Sequence, residues 1–183
     1  MKSLQGQLLI AAPRLVDSNF RHAVVLMVQH NESGALGLIL NRPTETPLAE
    51  VWDQVSQTPC ATDERLHLGG PVQGPLMALH ARDDLGEVEV VRGLHFCTEP
   101  SKLETLVASS DDTARYFVGY SGWGAGQLEH EMQEGSWLTC AAAPAHAFDP
   151  VEDLWQRVTR QIADSAVIGS LKIKHIPPDP SLN

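Results

Sequence analysis

The chain has 183 residues, enough for one domain with a substantial hydrophobic core, and carries a net charge of −10 with only 13 Lys and Arg. Those basic residues are scattered, which disfavours direct binding to a polyanion, because such binding rests on Lys and Arg neutralising phosphates. No apolar run approaches the roughly 20 residues of a membrane span, no cleavage pattern follows Met1, and the three cysteines have no paired spacing. We therefore expect a cytoplasmic protein with free thiols.

Gly6–Ala12 reads as a buried strand ended by Pro13, and Pro13–Phe20 as a loop with Asp17-Ser18-Asn19 as its turn chemistry. Ala23–His30 and Ala35–Asn41, joined by Asn31–Gly34, predict an antiparallel hairpin in which Gly37 marks a bulge or a close backbone approach. Arg42-Pro43 ends that strand. Leu48, Val51, Trp52 and Val55 then recur at helical spacing behind Pro47. After a polar connection, Leu66–Val72 is a strand broken at Gly69-Gly70-Pro71, Leu76–His80 is another, and Asp83–Gly86 is a turn. Val88–Val91 and Leu94–Cys97 form a second hairpin.

A helix over Lys102–Ser109, closed by Asp111-Asp112, precedes a strand at Arg115–Gly119. From Gly119 to Gly126 four of eight residues are glycine, which reads as a glycine-rich turn feeding a short helix at Leu128–Gly135. Ser136–Cys140 is a strand and Ala141–Phe148 a loop. Asp149–Ile162 has an Asp cap, Pro at the first position and apolar residues at 151, 154, 155, 158 and 162, the signature of an amphipathic helix. Residues 172–183 form an extended or loosely ordered tail, leaving one domain over 1–171. Short strands, some as hairpins, with several short helices predict an α+β, sandwich-like domain and not a regular βαβ series.

In this order the segments Gly6–Pro13, Asp17–Phe20, His30–Pro43, Gly69–Val72, His80, Gly119–Glu131, Trp137, Phe148 and Trp155 resemble the bacterial YqgE/AlgH family from residue 6 to about residue 160. The resemblance implies a single-domain α/β sandwich with a coiled, mostly antiparallel sheet, cytoplasmic and without a known cofactor. It implies no established activity. A transcriptional-regulator label attaches to some members without a DNA-binding motif. Ile162–Ala166 departs from the glycine-bearing turn common after the family's last helix.

No complete reactive motif is present. Gln127-Leu128 stand where a phosphate-binding Walker loop needs Lys and Ser/Thr, and Glu129 and Glu131, placed in the first helical turn, oppose a bound anion. Ser121 misses the hydrolase elbow because Trp123 takes the place of its second glycine. The histidines lack metal-ligand spacing, so we expect neither cofactor nor metal.

What remains is a recognition cleft or, equally, a buried Trp123 whose neighbours Gln127 and Glu131 satisfy unpaired loop N–H groups. Trp123, Gln127 and Glu131 fall on one helical stripe while Leu128 and Met132 lie on another, giving an aromatic platform with amide and carboxylate groups. Gly124 lies beside them, and His30, Asn41, Arg42, Gly69, Gly70 and His80 join from strand ends in matching family motifs. The expected protein is a monomeric, non-enzymatic binding or regulatory protein acting on a protein or small-molecule partner. The alternatives are an enzyme or sensor built on His30, Asn41, Arg42, His80, Gln127 and Glu131, and a transcriptional regulator, for which direct DNA binding is disfavoured by the charge of −10.

Overall fold

The computed structural model describes residues 2–109 and 113–171. Its spine is β9 (Ala114–Gly124), an 11-residue strand in which Gly119 adopts a left-handed φ of 68°. Before that kink β9 pairs antiparallel with β6 (Val72–His80) and parallel with β5 (Arg65–Leu68); beyond it β9 keeps one pair with β6, Tyr120 with Val72, and pairs with β3 (Gly34–Ile39). From β3 the sheet runs outward through β2 (Val24–Asn31) and β1 (Gln7–Ala11) to β10 (Trp137–Ala141). From β6 it runs through β8 (Leu94–Cys97) to β7 (Val88–Val91), and β4 (Pro43–Pro47) hangs on β5. All pairings but β5 with β9 are antiparallel. The expected mixed fold with a large, mostly antiparallel sheet is what the chain forms.

The sheet coils until β7 comes back against β2 and the chain before β1, where the Gln5 side-chain amide donates to the Glu89 carbonyl at 3.4 Å. Both faces are therefore covered, which is why β1 and β2 read as unbroken apolar runs. Leu8, Ile10, Leu26, Leu38, Met77, Phe96 and Phe117 pack on the inner face, closed by Ala147, Leu154 and Val158. On the outer face α1 (Leu48–Val55) and α2 (Pro100–Ala108) bury Leu48, Trp52, Leu103 and Leu106 against Ala78, Cys97 and Tyr116. Beside them, α3 (Gln127–Gln133) covers Leu9, Val25, Met27, Trp123 and Trp137 with Leu128. No helix among the described residues is long and apolar enough to cross a membrane.

Several expectations change. β2 and β3 form the predicted hairpin, with only Glu32 and Ser33 between the paired residues Asn31 and Gly34. The bulge sits on β2, between Met27 and Gln29. Gly37 lies opposite, where a Cβ would stand 2.6 Å from Val25 Cγ1. β4 is a strand where the pattern ended one at Pro43; its prolines are tolerated because it pairs only with β5. The glycine-rich segment is not a turn: β9 continues to Gly124 and the turn is Ala125-Gly126. Pro144–Phe148 is a short helix (α4) inside the expected loop. The last helix, α5, spans Leu154–Leu171 and starts five residues late, because Asp153 has a positive φ of 61°. In addition, the Arg115 guanidinium donates to the Phe148 and Asp149 carbonyls at 3.3 and 3.1 Å. Asp111-Asp112 and the tail at 172–183 lie outside the described residues.

Candidate binding site

α3 starts without a side-chain cap: Gly126, in left-handed conformation at φ 75°, turns the chain from β9 into the helix. Gln127 and Glu131, four residues apart, face back over β9 and β10. The Gln127 side-chain oxygen accepts the Gly124 N–H at 3.1 Å, and its amide donates to Glu131 Oε1 at 3.0 Å. Glu131 Oε2 accepts the indole N–H of Trp123 at 2.9 Å and that of Trp137 at 2.8 Å. One carboxylate thereby ties α3, β9 and β10 together. Trp123 is at the end of a strand and not on the helical stripe expected for it. It still meets Glu131, now from across the turn.

Phe20 completes an aromatic wall, stacked on Trp123 at 5.9 Å and edge-on to Trp137 at 5.4 Å. It is delivered by a turn in which Asp17 Oδ1 accepts the Asn19 N–H at 2.7 Å. Between this loop and α3 lies a hollow of about 280 Å³ whose walls include Asp17, Phe20, Trp123, Gln127, Glu131 and Trp137. Gly122 and Trp123 also border a second, more open groove of about 470 Å³, where Gln29, Asn31 and Ser33 face Leu36, Val72 and Tyr120. Phe20, Asp17 and Trp137 are site residues that the helical-stripe pattern does not mark. Their signal was available, since Asp17–Phe20 and Trp137 belong to the stretches that carry the family resemblance.

The other candidates are tied into the fold and line neither hollow. Gly124 pairs with Gly34 at the end of β9. His30 Nδ1 accepts the Leu4 N–H at 3.0 Å, so its ring proton sits on Nε2, 3.0 Å from Glu129 Oε1. That residue fastens the N-terminal segment to α3. Asn41 accepts from Val24 N–H at 2.9 Å and donates to the His22 carbonyl at 2.8 Å. Arg42 donates to the Arg21 carbonyl at 3.2 Å. His80 is fully buried, stacked on His95 at 5.9 Å. At Gly69 and Gly70 β5 crosses the kink of β9 backbone to backbone: a Cβ on Gly70 would fall on the Tyr120 carbonyl and one on Gly69 on the Gly119 oxygen. Of the enzyme-type set, only Gln127 and Glu131 share a hollow.

The reactive side chains are similarly occupied. Ser121 is buried and donates its hydroxyl to the Gly69 carbonyl at 3.1 Å. Burial, followed by the Glu87 charge, pushes the Cys97 thiol up to about 12, and burial raises Cys140 as well. Burial foremost, and then the Arg115 charge, hold His67 down at about 4, against the Arg65 carbonyl, which acts in the other direction. Among the described residues no three His, Cys, Asp or Glu side chains gather so as to hold a metal ion.

A coiled, mostly antiparallel sheet with helices on both faces is the fold of an AlgH-like type of protein. The chain belongs to that family, whose AlgH-like model matches residues 8–166. A UPF0301 protein of Chlorobaculum tepidum is 42% identical over 162 residues, covering 85% of this chain and 84% of the relative. One from Streptomyces coelicolor is 37% identical, covering 100% of this chain and 97% of the relative. The solution structure of the AlgH protein from Pseudomonas aeruginosa superposes with a TM-score of 0.74 at 34% identity, covering 96% of this chain and 98% of that one. A crystal structure from Corynebacterium diphtheriae gives 0.71 at 25% identity, covering 88% of each chain.

Proposed function

We propose that the chain is a non-catalytic regulatory protein that takes a partner at the hollow between α3, the end of β9 and the Asp17–Phe20 loop. The observation that carries this reading is the Glu131 carboxylate, which accepts two indole N–H groups and the Gln127 amide. It holds in place an aromatic cluster at the edge of the hollow, in which Trp123 and Trp137 are 5% and 3% exposed, a pre-organised arrangement that lowers the conformational entropy lost on binding. The Ser121 hydroxyl, two residues before Trp123, is buried and donates to the Gly69 carbonyl, which favours recognition over covalent chemistry at this end of the sheet. With a net charge of −10, regulation through a partner fits better than direct contact with nucleic acid.

The test is affinity capture on the full chain with identification by mass spectrometry, repeated with Gln127→Lys. A lysine there stands one helical turn before Glu131 and closes the mouth of the hollow over it. The expected result is at least a tenfold loss of a partner enriched by the original chain, with the melting temperature kept within about 2 °C. Undiminished capture by the folded variant contradicts the reading.

A further inference from the structure

The hollow has an uneven chemistry. Its walls combine the Phe20, Trp123 and Trp137 rings with two carboxylates, Asp17 and Glu131, and no Lys, Arg or His is among the residues that line it. Glu131 is satisfied entirely by neutral donors, two indoles and one amide, so its negative charge has no cation against it in those contacts. Asp17 is engaged by a backbone N–H and is likewise unneutralised there. Arg14, next to the loop, gives its guanidinium to the Glu134 carbonyl instead.

Indole N–H groups pulled toward a carboxylate enrich the electron density of their rings, and aromatic faces with nearby carboxylates attract organic cations. The volume of about 280 Å³ is at the small end for ligand pockets and suits one cationic group of side-chain size. We infer that this hollow is a binding site for an organic cation: an alkylammonium, a quaternary ammonium or a guanidinium group. The inference rests on the hollow being the binding site, and adds to it the class of group recognised. The overall charge of −10 draws such a group toward the molecule.

The four tryptophans make the test internal. The indole N–H groups of Trp123 and Trp137 point at Glu131, whereas those of Trp52 and Trp155 donate to the Thr58 and Ala11 carbonyls, away from the hollow. The full chain, labelled with ¹⁵N, is titrated with choline, with Nα-acetyl-arginine methylamide and with 3,3-dimethyl-1-butanol, the neutral isostere of choline. The expected result is a saturable shift of the Trp123 and Trp137 indole resonances with the cations, little movement of the other two, and at least tenfold weaker response to the alcohol. Asp17→Asn, which keeps the turn-forming oxygen, should weaken cation binding about threefold, and Glu131→Gln tenfold or more if that variant remains folded. Tighter choline assigns a free quaternary ammonium ligand; tighter capped arginine assigns a partner's side chain. Equal response to the alcohol, or no saturable shift of the two indoles, overturns the inference. If Gln127→Lys abolishes partner capture while no cation shifts these indoles, the hollow stands and its cation chemistry falls.

Discussion

Glu131 accepts from two rigid ring donors and one amide, and its side chain is thereby held in a single arrangement between α3, β9 and β10. A glutamine keeps one neutral carbonyl oxygen in place of the charged carboxylate, and any turn of its amide N–H₂ toward the indoles leaves donor facing donor. Hydrogen bonds to a charged acceptor contribute about 1.5–3 kcal/mol each, so Glu131→Gln should lower unfolding stability in urea by about 2–4 kcal/mol. A change below about 0.5 kcal/mol would mean the indoles hold themselves in place. His67 gives a second residue-scale prediction. Its folded value of about 4 lies below the ordinary 6.5. The unfolded chain therefore binds a proton that the native state refuses, and stability falls as pH drops from 6.5 toward 4. For a side chain 5% exposed this amounts to about 2–3 kcal/mol. His67→Gln should show a correspondingly flatter dependence of urea midpoint on pH across that window. At Cys97 the raised thiol predicts that a disulfide reagent at pH 8 modifies it far more slowly in the native protein than after denaturation.

Where elements meet, the glycines of β5 and β9 decide the geometry. Gly69 and Gly70 sit against Gly119–Ser121 with no room for a Cβ, and Gly69 O also receives the Ile39 N–H at 2.9 Å, linking β5 to the end of β3. Gly70→Ala should therefore destabilise the fold by about 3 kcal/mol, read as a lower melting temperature. These residues are also where the sequence misleads. Glycines in Gly119–Gly126 carry the local signal of a turn, but two of their causes are long-range: the kink that lets β9 change partners, and the crossing with β5. Neither leaves a mark within the segment itself. The hairpin of β2 and β3 was legible because apolar runs and a polar, glycine-ended connection are local. β4 was hidden by its prolines, and the late start of α5 by the positive φ of Asp153, which the apolar pattern does not mark. The apolar stripe of that helix holds from Leu154 on, Val151 lying before its start: Leu154 and Val158 are buried and Trp155 donates to the Ala11 carbonyl at 2.9 Å. In the hollow, Trp123, Gln127 and Glu131 were legible as a group, although for a helical spacing that Trp123 does not have. Phe20 and Trp137 come from loops and strands that only folding brings near.

On the scale of the molecule, the coiled sheet buries both its faces and leaves the far end of β9 to meet solvent between α3 and the Asp17–Phe20 loop. The inner packing of β1, β2, β6 and β8 against α5 gives this end a stiff base, and the carboxylate clasp gives it a defined shape. The central claim is that this end is where a partner binds. It is tested most directly by amide hydrogen exchange on the full chain with and without the partner or cation that the capture and titration experiments identify. The account predicts new protection confined to residues 15–20, 122–127 and 136–137. Protection concentrated at α5 or around His67 and β4, with those three segments unchanged, would contradict it.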